Sequence, residues 1–228
     1  MKICAISDLH GLIGKDIKIE KCDLLLIAGD TVDLSIQKNF TESMVWFSME
    51  FLPFVKTLPC DKIVMIGGNH DFYLEYYPNE FREGLKNSNS NIVYLENEYY
   101  EYKGITIYGT PLCHKFMNWA FMPDDSTQRN IFNKTMDDRH IDIFLSHDAP
   151  YGYSDICYES SYGRDHIGNP VLYDVAMEKN PTYFIHGHLH SSNHEFEELP
   201  NEAKTKVANV SLLGEDYKLR YEPLYIEL

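Results

Sequence analysis

Positive charge is scarce in this chain. Its 228 residues include 20 Lys and Arg against 35 Asp and Glu, a formal net charge of −15. Such a surface repels phosphate backbones, and no Lys/Arg stripe relieves it, so duplex nucleic acid is not an expected partner. Cysteines are few and unpatterned. The five of them (Cys4, Cys22, Cys60, Cys113, Cys157) are odd in number and form no C-x-x-C. That excludes a disulfide framework and reads as reduced, mostly buried thiols of a cytoplasmic protein. No apolar run is long enough to span a bilayer. The opening "MKICAISDLHG" reaches polar residues too soon for a signal peptide, so no membrane partner is expected. Linkers, low-complexity tracts and short-period repeats are also missing, and the length fits one α/β domain over residues 1–228.

What is present is a series of short apolar runs, each ending in a polar loop. "KICAIS" runs into "DLHG", "CDLLLIAG" into "DTVD", "DKIVMIGG" into "NHDF" and "IDIFLS" into "HDAP". Continuous apolar runs of this length fit strands buried on both faces of a sheet. Residues 37–56 read as a helix, with Met44, Val45, Phe47, Phe51 and Leu52 as its apolar side. Alternation around Lys103-Gly104 predicts a hairpin. Residues 118–138 read as loop and then helix. A further helix is expected from Pro170, since proline suits a first helical turn. "KTKVANVSL" and "EPLYIEL" read as closing strands.

In an open α/β sheet, ligands gather at the carboxyl ends of strands. The chain delivers Asp8 and His10, Asp30 and Asp33, Asn69 and His70, His147, and His188 and His190 to such ends. Carboxylate, imidazole and amide groups suit borderline metals. Residues two apart in an extended segment face one way, so Asp8 and His10 are expected to point together. Each piece alone has a plainer reading: a D-x-H by chance, a turn at Gly-Asn, a strand-end histidine at position 147. Their ordered recurrence carries the argument. "FIHGHLHSSNH" holds four histidines. Of these, His188 and His190 are read as ligands, His186 as packed in the strand or supporting a ligand, and His194 as solvated or on the rim of the substrate pocket.

The ordered set "DLH", "GD", "GNHD", "SHDAP" and "GHLH" resembles the calcineurin-like metallophosphoesterase family, from Lys2 to about Asn193. The resemblance implies a two-sheet sandwich flanked by helices (an αββα fold of the α/β class) with two divalent metal ions at the strand ends. By that resemblance Asp8, His10 and His190 hold one ion. Asn69, His147 and His188 hold the other, and Asp30 bridges them. Manganese, iron, zinc and nickel all suit such ligands. The implied reaction is phosphoester hydrolysis by a hydroxide that the ions share. His70, which is not a ligand in the family, would contact the phosphate or protonate the leaving oxygen. Asp33 matches an acid that in some branches pairs with this histidine.

The protein Ser/Thr phosphatase branch reads G-D-x-V-D-R-G and G-N-H-E. Here Leu34 replaces the arginine and Asp71 the glutamate. The stretches "YGTPLCHKFMNWAF", "LSHDAPYGYSD" and "HIGNPVL" look closer to the small metallophosphoesterase-domain proteins related to class III cyclic-nucleotide phosphodiesterases. This points to a small phosphodiester substrate, a nucleotide being one candidate, with Trp119 and Phe121 stacking a base and His166 contacting phosphate. Packing is the competing reading for those aromatics, and for Tyr151, Tyr153, Tyr158, Tyr162, Cys113 and His114. A nuclease or phosphomonoesterase of the same fold, and a non-catalytic interaction module, stay open as alternatives.

Overall fold

The computed structural model describes residues 1–14, 16–88, 90–158 and 165–228. Tyr162 lies outside these residues. The first apolar runs form β1 (Lys2–Ile6), β2 (Cys22–Ala28) and β3 (Cys60–Ile66). Between β2 and β3 runs one helical stretch: α1 (Phe40–Trp46), a π-helical turn (Phe47–Phe51) and α2 (Leu52–Val55). It starts at Asn39, whose side chain caps the Glu42 N–H, and not at Gln37. After β3 come α3 (Phe72–Tyr76), α4 (Pro78–Asn87) and β4 (Ile92–Tyr94). The expected hairpin is β5 (Glu98–Tyr102) and β6 (Ile105–Thr110), paired antiparallel. Next are α5 (Asp125–Thr135), β7 (Ile143–Ser146), α6 (Pro170–Lys179) and β8 (Tyr183–His186). The chain closes with β9 (Glu197–Glu198), β10 (Lys206–Asn209) and β11 (Leu224–Glu227).

The strands make two mixed sheets, ordered β11-β1-β2-β3-β4 and β5-β6-β7-β8-β10-β9. Alternation along each strand decides what the faces do. Ile3, Ala5, Leu24, Leu26, Val64 and Ile66 of the first sheet meet Ile107, Ile143, Leu145, Ile185 and Ala208 of the second in one core. The outer face of the first sheet, with Cys4, Ile6, Leu25 and Ile27, packs on Phe47, Phe51, Phe81 and Leu85 of the helices. The outer face of the second, with Tyr108, Phe144 and Phe184, packs on Phe132, Val171, Leu172 and Ala176 of α5 and α6. The result is a two-sheet sandwich flanked by helices. Both faces of each central strand are covered, which is why those runs are apolar without interruption.

β1, β2, β3 and β4 run parallel, as do β6, β7, β8 and β10. Their carboxyl ends therefore lie together within each sheet, and the five polar motifs follow β1, β2, β3, β7 and β8 directly. All five cysteines are buried free thiols. Among the described residues no helix is long and apolar enough to cross a membrane.

Candidate metal centre

Asp8, His10, Asp30 and His188 all have positive φ (56°, 43°, 51° and 70°). Non-glycine residues seldom adopt this conformation, and it clusters at functional sites. Asp8 and His10 thus converge because the chain turns sharply after β1, not through the strand alternation anticipated from the sequence. The turns are held from the neighbouring strand: the Asp8, His10 and Gly11 N–H groups donate to the carbonyls of Gly29, Asp30 and Thr31.

The motif glycines let the loops close. A Cβ on Gly68 would meet Asp30 Oδ1 at 2.2 Å and His147 Cε1 at 2.7 Å. One on Gly187 would meet Asp8 Oδ2 at 2.4 Å. In each case the glycine beside one ligand makes room for a ligand from another loop.

Two groups of donor atoms, Asp8 with His10 and His190 and Asp30 with His147 and His188, are linked by a third, His10 with Asp30 and His70; within each the ligand atoms lie within 4.8 Å of one another. Asn69 Oδ1 stands 3.0 Å from His147 Nε2, beside the second group. Asp30 Oδ2 lies 3.3 Å from His147 Nε2 and 3.7 Å from His10 Nε2, so it faces both groups. Asp8 Oδ2 accepts from the His188 N–H and Ser211 Oγ, while Oδ1 is buried with no hydrogen-bond partner among the described residues. That bare oxygen stands 3.4 Å from His190 Nε2 and 3.8 Å from His10 Nε2. An unshared carboxylate oxygen facing two imidazole nitrogens fits a cation.

The ring orientations agree. His147 Nδ1 faces Ala28 O at 2.6 Å and His190 Nδ1 faces Gly214 O at 3.1 Å. A nitrogen facing a carbonyl carries the proton, which turns the Nε2 lone pair toward the centre. Charge in the pocket is strongly coupled. Burial alone would raise the Asp8 and Asp30 carboxyls, but the imidazoles around them (His190 and His147 first) hold both well below the usual range. In return, and against burial, Asp30 brings His147 to about 10 and Asp8 brings His190 to about 9. Burial dominates at His10 and His188, which fall to about 4.

His70 sits between the groups. Its N–H donates to Asp30 Oδ1 at 2.8 Å and its ring lies 4.6 Å from Trp119. The expected partner, Asp33, is elsewhere: its Oδ1 accepts from the Ser35 N–H and hydroxyl. Nδ1 of His70 is bonded instead to Gln37 Oε1. Gln37 lies just before the helix, and the turn through Ile36 brings it over the β2 loop. An amide orients the ring without drawing a proton onto it, and burial lowers the His70 pKa. Asp71, the last residue of "GNHD", is a strut. Its buried carboxylate accepts from the N–H groups of Thr31, Val32 and Gly68, tying the β2 and β3 loops together.

A cavity of about 670 Å³ opens over this centre. Asp30, Asn69, His70, His188 and His190 line it, as do Leu34, Gln37, His114, Trp119, Asp165, Glu215 and Tyr217. Trp119 is thus on its wall, but Phe121 is not: that ring is buried against Gly67. His166 is turned away, with Nδ1 2.5 Å from Asp155 Oδ1, while its neighbours Asp165 and Ile167 face the cavity. Tyr151, Tyr153 and Tyr158 are not on the wall either; Tyr217, from the C-terminal segment, is. His186 is fully buried. His194 is not solvated as expected: it stacks on Tyr221 at 3.6 Å and its nitrogens face Ser192 O and Ser211 O. His114, for which the sequence offered packing, is on the wall as well. Sequence reading did not single out Gln37, Asp148 or Tyr217, of which Asp148, next to His147, lay in a quoted motif.

Comparison with known proteins gives the family and the fold. UPF0046 protein T07D4.2 of Caenorhabditis elegans is 27% identical across the whole chain, which spans 60% of that relative's length. Metallophosphoesterase domain-containing protein 1 of Homo sapiens is 23% identical, again over the whole chain and over 71% of its own. Among solved structures, TT1561 of Thermus thermophilus superposes with a TM-score of 0.58 at 12% identity, covering 91% of this chain and 88% of that one. Phosphopantetheinyl hydrolase of Mycobacterium tuberculosis gives 0.56 at 14% identity, covering 99% and 95%. Residues 1–192 match the calcineurin-like phosphoesterase family, and the chain is a member of that family.

Proposed function

We propose that the protein hydrolyses small phosphodiesters, nucleotides among them, with two divalent metal ions bound by Asp8, His10 and His190 on one side and by Asn69, His147 and His188 on the other, Asp30 between them. Bound there, the ions would supply an acidified water and neutralise phosphoryl charge. The chain's own residues do the rest. Asp30 and Asp8 set the charge of the centre. Asn69 adds a neutral donor and leaves it positive for an anion. His70, fixed by Gln37, offers Nε2 to a phosphoryl oxygen.

The observation that carries the diester reading is the wall of the cavity. Leu34 lines it at the position where the protein Ser/Thr phosphatase pattern has an arginine. Among the described residues, no Lys or Arg lines it at all. A phosphomonoester dianion calls for such a clamp more than a diester monoanion does. Trp119 and Tyr217 offer apolar surface to an organic group beyond the phosphorus. Asp165 and Glu215 on the same wall oppose a long polyanion, which disfavours a nuclease role.

The test is a panel of bis-p-nitrophenyl phosphate, p-nitrophenyl phosphate, cyclic nucleotides and single-stranded oligonucleotides, with manganese, iron, zinc, nickel or magnesium. Diester cleavage is expected. Monoester-only activity overturns the diester assignment, and cleavage of none by metal-loaded protein favours a non-catalytic module.

A further inference from the structure

Two imidazoles outside the two ligand groups reach the cavity, and they are held in opposite ways. His70 is held by the neutral amide of Gln37. His114, in the loop after β6, is held by a carboxylate. Asp148 Oδ2 takes both the backbone N–H of His114 and its Nδ1, each at 2.8 Å. The other oxygen, Oδ1, takes the N–H of Ala149. Asp148 is fully buried, whereas the His114 side chain is about a quarter exposed, toward the cavity it lines. Asp148 follows His147 directly in the chain, which places the pair on the His147 and His188 side of the centre.

A buried carboxylate hydrogen-bonded to a ring favours the charged form of that ring. Burial opposes this, but the Asp148 hydrogen bond and charge, with a smaller contribution from Asp125 at the start of α5, raise the His114 pKa. With Nδ1 committed to Asp148, the remaining N–H of an imidazolium is Nε2, on the open side of the ring. His70 has only the neutral Gln37 amide at Nδ1, and the carboxylate 3.9 Å from its Nε2 is that of Asp30, a proposed metal ligand.

We infer that His114 is the proton donor to the leaving oxygen of the phosphodiester, with Asp148 its positioning residue, and that His70 serves the phosphoryl group alone. The inference rests on the phosphodiesterase reading above. In the step, a water oxygen forms a new bond to phosphorus and gives one proton to solvent. The bond from phosphorus to the leaving oxygen breaks and its electron pair stays on that oxygen. The oxygen takes the Nε2 proton of His114 and departs as an alcohol. The ring, now neutral, regains a proton from solvent. One phosphomonoester and one alcohol result from one diester and one water.

The test compares leaving groups in the metal-loaded full-length protein. p-Nitrophenolate departs without help, whereas an alkoxide needs a proton. For methyl p-nitrophenyl phosphate, which loses p-nitrophenolate, His114→Gln should change kcat less than about threefold. For a dialkyl diester or a cyclic nucleotide, which loses an alkoxide, it should lower kcat about 100-fold or more, the usual scale of general-acid catalysis. Metal content and melting temperature should stay at wild-type values. Asp148→Asn should show the same selectivity. Equal slowing of both substrates, or of neither, overturns the assignment, and His70→Gln showing the selectivity instead would return the role to His70. Imidazole 15N NMR gives a readout free of turnover: the His114 ring should carry protons on both nitrogens at pH 7. If wild-type protein cleaves neither diester, the functional reading has failed. The inference then falls with it, whereas a neutral His114 in protein that cleaves diesters overturns the inference and leaves the functional reading standing.

Discussion

Gly68→Ala tests whether the centre depends on how closely the loops approach. A Cβ at this position would lie 2.2 Å from Asp30 Oδ1, 2.4 Å from Asp30 N and 2.7 Å from His147 Cε1, where ordinary contact begins near 3.4 Å. The overlap is about an ångström, and one partner is backbone, so no rotamer change relieves it. Overpacking of this kind costs about 1–3 kcal/mol, a fall in melting temperature of about 2–12 °C for a chain of this size. Displacing Asp30 by an ångström would also cost about 100-fold in turnover. Gly84→Ala is the control. It sits within α4 with nothing within 4 Å of the added Cβ, and should gain about 0.5–1 kcal/mol from lower unfolded-state entropy. Thermal unfolding with metal analysis and diester hydrolysis reads both variants. If Gly68→Ala keeps wild-type metal content, rate and melting temperature, the β3 loop does not set the Asp30 position.

Asp71→Ala would leave the buried N–H groups of Thr31, Val32 and Gly68 without their acceptor. At about 1–3 kcal/mol per orphaned donor, offset by relief of a carboxyl that burial and Asp30 push up to about 6, the net loss should be about 2–5 kcal/mol in urea unfolding of metal-free protein. A loss below about 1 kcal/mol would show that the strut carries little. Metal uptake should release protons. His147 near 10 and His190 near 9 lie above the ordinary imidazole value, so both are charged at pH 7 before metal binds and neutral after. About two protons should appear per chain, and affinity should rise with pH up to about 9. Calorimetry in buffers of different protonation enthalpy measures this, and release of none would contradict the assigned charges.

The parts of the site that were legible in the sequence are those fixed by short-range order. Strands buried on both faces print continuous apolar runs, so β1, β2, β3 and β7 and the ligands that follow them could be read directly. The hairpin and the Pro170 helix start were legible for the same local reason. What escaped reading depends on contacts between loops far apart in the chain. Gln37 reaches His70 across 33 positions, and His114 meets Asp148 across 34. Tyr217 meets His10 from the C-terminal segment, with ring centroids 5.0 Å apart. Asp33 was the nearer guess by chain position, but its carboxylate is spent on the turn that ends at Ser35. Phe121 and His166 had suitable chemistry, yet each has positive φ or a competing partner that turns its ring from the cavity.

The central claim is that Asp30 lies between two metal ions. Crystals of the manganese-loaded protein, measured at a wavelength where manganese scatters anomalously, test it most directly. The account predicts two anomalous peaks about 3.5–4 Å apart, Asp8, His10 and His190 around one, Asn69, His147 and His188 around the other, and the Asp30 carboxylate touching both. A single peak, or two with Asp30 bound to only one, would contradict it.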